Sequence, residues 1–254
     1  MDELTVRSDG HVAVVEVHRP PANYFDRTLI SALAEAFTAL DADVNCRAIV
    51  LCSEGRHFCA GAQFGTGEME SDRVRSAELL YRNAIRLFEI EVPVIAAVQG
   101  SAVGGGVGLA CAADFRVVSP GTRFHPNFSM LGFHQGFGLS VVLPEIVGHQ
   151  QAMDLLYCGR RVGGARAVEI GLADRLVADG ELRAEALRWA REIAQAAPLA
   201  VRSMKRTLRG PLAQRVGAVL DRELAEQARL WSTKDSAEGI AANLARRKAT
   251  FTGK

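Results

Sequence analysis

The stretch GSAVGGGVGLACAADF, residues 100–115, decides how this 254-residue chain is read. Three consecutive glycines, Gly104 to Gly106, sit between a strand-like run and an apolar helical segment. A backbone amide there points outward with the helix dipole behind it, an arrangement suited to an oxygen that gains negative charge. Close helix-to-sheet packing also demands glycine, so this stretch alone leaves both readings open. Phosphate binding fits poorly. No lysine follows the glycines as the Walker pattern requires, and Leu109 stands where the dinucleotide fingerprint needs its third glycine.

Working outward, short β-branched runs alternate with helical spacing: HVAVVEV from His11, AIVLCS from Ala48, VIAAV from Val94 and FRVVS from Phe115. Between them, Leu29, Leu33, Phe37 and Leu40 mark one helix face, and Leu79 to Phe88 supplies another. This rhythm predicts an α/β fold. After Gly136 the pattern becomes helical, with only the segment from Ala173 reading as extended. A second small-residue loop, EGRHFCAGAQF at residues 54–64, follows the run AIVLCS, at a strand end where α/β folds place ligands. Two such loops, about 40 residues apart, bring two N–H groups within reach of one carbonyl oxygen, which favours the ligand reading over packing.

Composition bounds the function. Lys and Arg total 30 against 29 acids, which argues against nucleic acid and acidic membrane surfaces as partners. No run reaches the roughly 18 apolar residues of a bilayer span, and the segment MDELTVRSDG is too acidic for a secretory signal, so a cytoplasmic protein is expected. Five cysteines without C-x-x-C spacing read as reduced, mostly buried thiols. The six histidines show no metal-ligand spacing, and no metal or separate cofactor is expected.

The motifs F-C-A-G-A-Q (Phe58 to Gln63) and G-S-A-V-G-G-G (Gly100 to Gly106) resemble the two loops of the enoyl-CoA hydratase/isomerase (crotonase) superfamily. R-P-P-A-N (Arg19 to Asn23), I-G-L-A-D-R-L-V (Ile170 to Val177) and R-R-K-A-T-F-T-G-K (Arg246 to Lys254) resemble further family signatures in the family's order. The resemblance implies a spiral of ββα units over residues 1–195 and a C-terminal helical region, 196–254, that mediates trimers, often paired into hexamers. It implies an acyl-CoA thioester as ligand, coenzyme A being part of the substrate, with the carbonyl held by the amides of Ala62 and Gly105. Ala60, Gly61, Gly104 and Phe128 would border the substrate, and Phe251 and Lys254 would approach the CoA nucleotide.

Hydratases of this family use two glutamates. The resemblance places them at Gly108 and, through F-H-P-N-F at residues 124–128, at Phe128, so both carboxylates are replaced. Ordinary hydration is therefore doubtful, since each positioned acid–base group contributes about 10²–10⁴ in rate. His134, in the turn LGFHQGFG, is the expected substitute, with His125 ranked below it because strand parity turns it away from Phe128. Asp114 reads as a strand anchor, Glu145 as a surface acid, and the pair Cys59 and His57 as packing rather than a nucleophile and base. Isomerisation, decarboxylation, C–C cleavage and thioester hydrolysis remain open, as do a non-catalytic acyl-CoA binder and a purely structural trimer.

Overall fold

Residues 3–62 and 73–254 are described by a computed structural model. Strands β1 (Leu4–Asp9) and β2 (Val12–Val17) form an antiparallel hairpin, followed by helix α1 (Arg27–Ala42). Asp26 caps α1 by accepting from the Leu29 amide at 2.9 Å. Next come β3 (Ala48–Ser53), α2 (Arg73–Ile85), β4 (Val94–Val98), β5 (Ser101–Val103), α3 (Gly105–Ala112), β6 (Phe115–Val118) and β7 (Arg123–His125). The rest comprises α4 (Leu139–Val147), α5 (His149–Cys158), β8 (Val162–Gly163), α6 (Gly164–Glu169), β9 (Arg175–Leu176), α7 (Leu182–Ala194), α8 (Pro198–Arg209), α9 (Leu212–Trp231) and α10 (Lys234–Leu244).

Two sheets share these strands, in the orders β1-β2-β3-β4-β6-β9 and β5-β7-β8. Single parallel bridges, Phe25 with Ala62 and Cys59 with Ala102, extend the smaller sheet. Each turn of chain thus adds one strand to the large sheet, one short extended piece to the small sheet, and then a helix: β2, Phe25, α1; β3, Cys59 to Ala62, α2; β4, β5, α3. This is the spiral of ββα units that the resemblance implied. β1 and the short strands β5, β7 and β8 escape the sequence pattern. β1 is an edge strand with an exposed centre, and the others span only two or three residues.

The inner strands β2, β3, β4 and β6 of the large sheet are buried on both faces, so they read as nearly continuous apolar runs. Val12, Ala48, Val50, Cys52, Ile95, Ala97 and Val117 pack with Leu182, Ala186 and Ala190 of α7. The interleaved Val15, Val17, Ile49, Leu51, Ala96 and Val98 face the main core with α1 and α3. Residues beyond 196 share that core, since Leu212, Val216, Leu220 and Leu224 of α9 join it. By contrast, α8 has no buried residue and exposes Leu199, Met204 and Leu208.

The outer signatures hold this frame together. Asn23, fully buried and at φ +49°, donates through Nδ2 to the carbonyls of Glu54 (2.7 Å) and His57 (2.6 Å). In the segment 170–177, Leu172 accepts from Arg116 Nε at 2.7 Å and Asp174 accepts from the Arg116 amide at 2.7 Å, which docks β9 beside β6. Asp114 is the anchor it was read as: it accepts from the Val94 amide at 2.8 Å and pairs with Lys205 and Arg209, each at 2.7 Å.

Candidate active site

The two loops run side by side. Cys59 N donates to Ser101 O at 3.0 Å, and Val103 N donates to Cys59 O at 2.9 Å. Their approach is set by glycine. A Cβ on Gly106 would lie 2.2 Å from the Cys59 carbonyl oxygen, and one on Gly61 would lie 2.9 Å from that of Val103. Gly61 also sits at φ +91°. The packing reading of the glycines is therefore true of Gly106. Gly104 differs: its backbone, at φ +52° and ψ −120°, turns the chain out of β5 into α3 and leaves its open side toward a cavity.

That cavity has a volume of about 460 Å³. Ala60, Gly61 and Ala62 from the first loop, with Val103, Gly104 and Gly105 from the second, form one wall. Gly105 is the first residue of α3, so helix geometry offers its amide no partner, and the helix dipole adds partial positive charge there. The Ala62 amide, beyond the bridge in which Phe25 N donates to Gly61 O at 3.0 Å, likewise has no acceptor among the described residues. Two unused donors thus border one space. Phe25 stands over Gly105, where a Cβ would come within 2.4 Å of its ring. Gln63 and Phe64 of the same motif lie outside the described residues.

The positions expected to have lost carboxylates are filled by aromatic rings. A Cβ on Gly108 would lie 2.6 Å from Phe137 Cβ, and Phe137 packs edge-on against both Phe25 (5.8 Å) and Tyr81 (6.2 Å). Phe128 lines the cavity and meets Phe133 at 6.1 Å. Among the described residues, no Asp or Glu lines the cavity. The nearby buried Glu223 does not substitute for them, because both its oxygens clamp the start of α4 by accepting from Gly138 N (3.0 Å) and Ser140 N (3.1 Å). Burial raises its pKa above the ordinary carboxylate value.

The ranking of the histidines is reversed. His134 does not line the cavity. Its Nδ1 is bonded to the neighbouring Gln135 carbonyl at 2.7 Å, and its ring lies on the side of Glu223 and Glu226. His125 does line it, beside Asn127 and Arg161. Parity failed there because Pro126 ends β7 and a 3₁₀ turn starts just after Phe128, so His125 and Phe128 border the same space. Burial and the Arg161 charge bring the His125 pKa down to about 4, opposed by a hydrogen bond with the Gly159 backbone, so the ring is neutral at physiological pH.

Of the remaining candidates, Cys59 is buried, and burial pushes its thiol up to about 12. His57 accepts from the Ser101 amide at 3.2 Å, which gives both residues packing roles. Glu145 pairs with Arg215 at the surface. Phe251 and Lys254 lie outside the cavity lining. The tail hooks onto α10, with Asp235 accepting from Thr252 N (2.7 Å) and Gly253 N (2.8 Å) and its own amide donating to Lys254 O (3.1 Å).

The opposite wall was missed by sequence reasoning. Leu80 and Tyr81 from α2 and Gln227 and Trp231 from α9 complete the cavity, with Asn127 between the walls. A signal for Gln227 existed. It follows Leu220 and Leu224 at helical spacing, a polar side chain placed on an apolar stripe.

The profile of the family described as enoyl-CoA hydratase/isomerase matches residues 7–254. A probable enoyl-CoA hydratase from Rhizobium meliloti is 37% identical over 98% of this chain and 98% of its own length. A crotonyl-CoA hydratase from Syntrophomonas wolfei is 30% identical over 100% of this chain and 99% of its own. The solved structure of an enoyl-CoA hydratase/isomerase from Pseudoalteromonas atlantica superposes with a TM-score of 0.87 at 28% identity, covering 99% of this chain and 100% of that one. With its two glycine-ordered loops and its spiral of ββα units, the chain belongs to the enoyl-CoA hydratase/isomerase family.

Proposed function

We propose that this protein is an enzyme acting on an acyl-CoA thioester, whose carbonyl oxygen sits between the amides of Ala62 and Gly105. The observation that carries the reading is a pair of N–H groups on one cavity that have no acceptor among the described residues, one of them at the start of a buried helix. As an enolate or tetrahedral adduct forms, charge moves onto that oxygen, and each fixed donor contributes about 10²–10³ in rate. With no carboxylate among the described residues of the lining, water addition by a glutamate pair draws no support from them. Reactions that an oxyanion site and a histidine can serve without paired glutamates fit better: isomerisation, decarboxylation, C–C cleavage or thioester hydrolysis. His125, neutral and on the lining, takes the place of His134 as the candidate to accept or relay a proton.

The same lack of acids favours one rival, an acyl-CoA binder that retains the oxyanion site without turnover. Assaying a panel of enoyl, 3-oxo and branched thioesters separates the two. Turnover that falls at least about 10²-fold in Ala62→Pro, which removes one donor, supports the enzyme. Tight binding without turnover on any member supports the binder, and neither binding nor turnover overturns both. The exposed apolar side chains of α8 support self-association, with a trimer expected in sedimentation.

A further inference from the structure

Gln227 and Tyr81 form a polar pair in an otherwise apolar wall. Gln227 is 1% exposed, and its Nε2 donates to Tyr81 Oη (3.2 Å) and to the His134 carbonyl (3.1 Å). That carbonyl can only accept, which fixes the orientation of the amide. Both N–H protons are therefore committed, while Oε1 is buried with no partner among the described residues. Tyr81 already accepts from Gln227, so its own proton is directed elsewhere, and among the described residues nothing accepts it. Both residues line the cavity.

Orphaned buried oxygens are uncommon and costly, which makes this one informative. Room for the pair is made by Gly136, where a Cβ would fall 2.4 Å from Tyr81 Oη and 2.6 Å from Gln227 Nε2. The pair is separated from the oxyanion wall by two ring contacts, Phe25 to Phe137 and Phe137 to Tyr81. Leu80, Phe133 and Trp231 give its surroundings an apolar character.

We propose that Tyr81 and Gln227 are a specificity subsite for a hydroxyl group carried by the acyl part of the substrate, remote from the thioester. A hydroxyl accepts from Tyr81 O–H and donates to Gln227 Oε1, satisfying both at once. A ketone answers only the tyrosine, and a carboxylate sets negative charge against Oε1. The raised pKa of Tyr81, caused by burial, keeps the phenol a donor across the physiological range.

This inference rests on the thioester reading above, and the test separates them. Binding of hexanoyl-CoA would be compared by calorimetry with a series whose hydroxyl is stepped from the third carbon to the last. At least one hydroxylated member should bind roughly tenfold or more tighter than the plain chain. Tyr81→Phe and, independently, Gln227→Met should each bring that ratio to within about twofold of unity. Hexanoyl-CoA binding as well as every hydroxylated member overturns the subsite and leaves the thioester reading standing. A preference that survives in both variants also overturns it, and binding of no thioester overturns both.

Discussion

The two walls of the cavity are built in different ways. One is backbone: amides of Ala62 and Gly105, held by loops that approach so closely that Gly61 and Gly106 have no space for a side chain. The other is made of side chains on α2, α9 and the 125–133 segment, with Phe128 at one expected carboxylate position and Phe137 packed behind the lining against the other. The difference teaches where chemistry can be exchanged. A site made of peptide groups is secured by packing constraints throughout the fold, so it persists while the fold does. A site made of side chains can be refilled one residue at a time.

The most severe way to break the first wall is Gly106→Ala. Its Cβ would collide with the Cys59 carbonyl at 2.2 Å, and backbone on both sides cannot move aside as a side chain can. A loss of about 3 kcal/mol or more is expected, read as a collapse in soluble yield or in the urea midpoint. Gly105→Ala meets a ring instead, Phe25 at 2.4 Å, and because Phe25 lines the cavity its displacement reshapes that space. It should fold, yet lose about 10²-fold in turnover of whichever thioester proves active. If Gly105→Ala keeps full activity, the division between the walls fails.

Sharpening the second wall calls for putting a carboxylate back. Gly108→Glu alone should cost about 2 kcal/mol in a denaturation midpoint, because Phe137 Cβ and ring atoms stand 2.6 to 2.8 Å from the new Cβ. Adding Phe137→Ala should recover part of that loss by opening the volume the glutamate needs. Crotonyl-CoA hydration appearing in Gly108→Glu without the second change would show that the ring is not what bars the acid.

How much of this was legible in the sequence follows the same division. The two glycine loops were readable because glycine is the only residue that fits their contacts, and the β-branched runs because strands covered on both faces are apolar throughout. β5 and β7 were not, since three-residue strands carry no periodicity. Nor was the far wall, because Tyr81 and Gln227 lie 146 positions apart and meet only through the packing of α2 against α9. His125 was misjudged for a local reason: alternation holds only while a strand continues, and Pro126 ends it.

His125 supplies the smallest effect and the one with a sign to check. Its folded pKa of about 4 lies below the ordinary histidine value of 6.5, so between these limits the unfolded chain binds a proton that the folded one refuses. Stability must then decline as pH falls from about 6.5 toward 4 and level off below, the reverse of a histidine that gains an anionic partner. At about pH 5 the difference should amount to roughly 1 kcal/mol, since the partly exposed ring retains some hydration. His125→Asn removes this proton, so comparing urea midpoints at neutral and acid pH should show a shallower fall in the variant than in the parent. Equal slopes would mean that His125 titrates normally, and Arg161 would then be too well solvated to act on the cavity beside it.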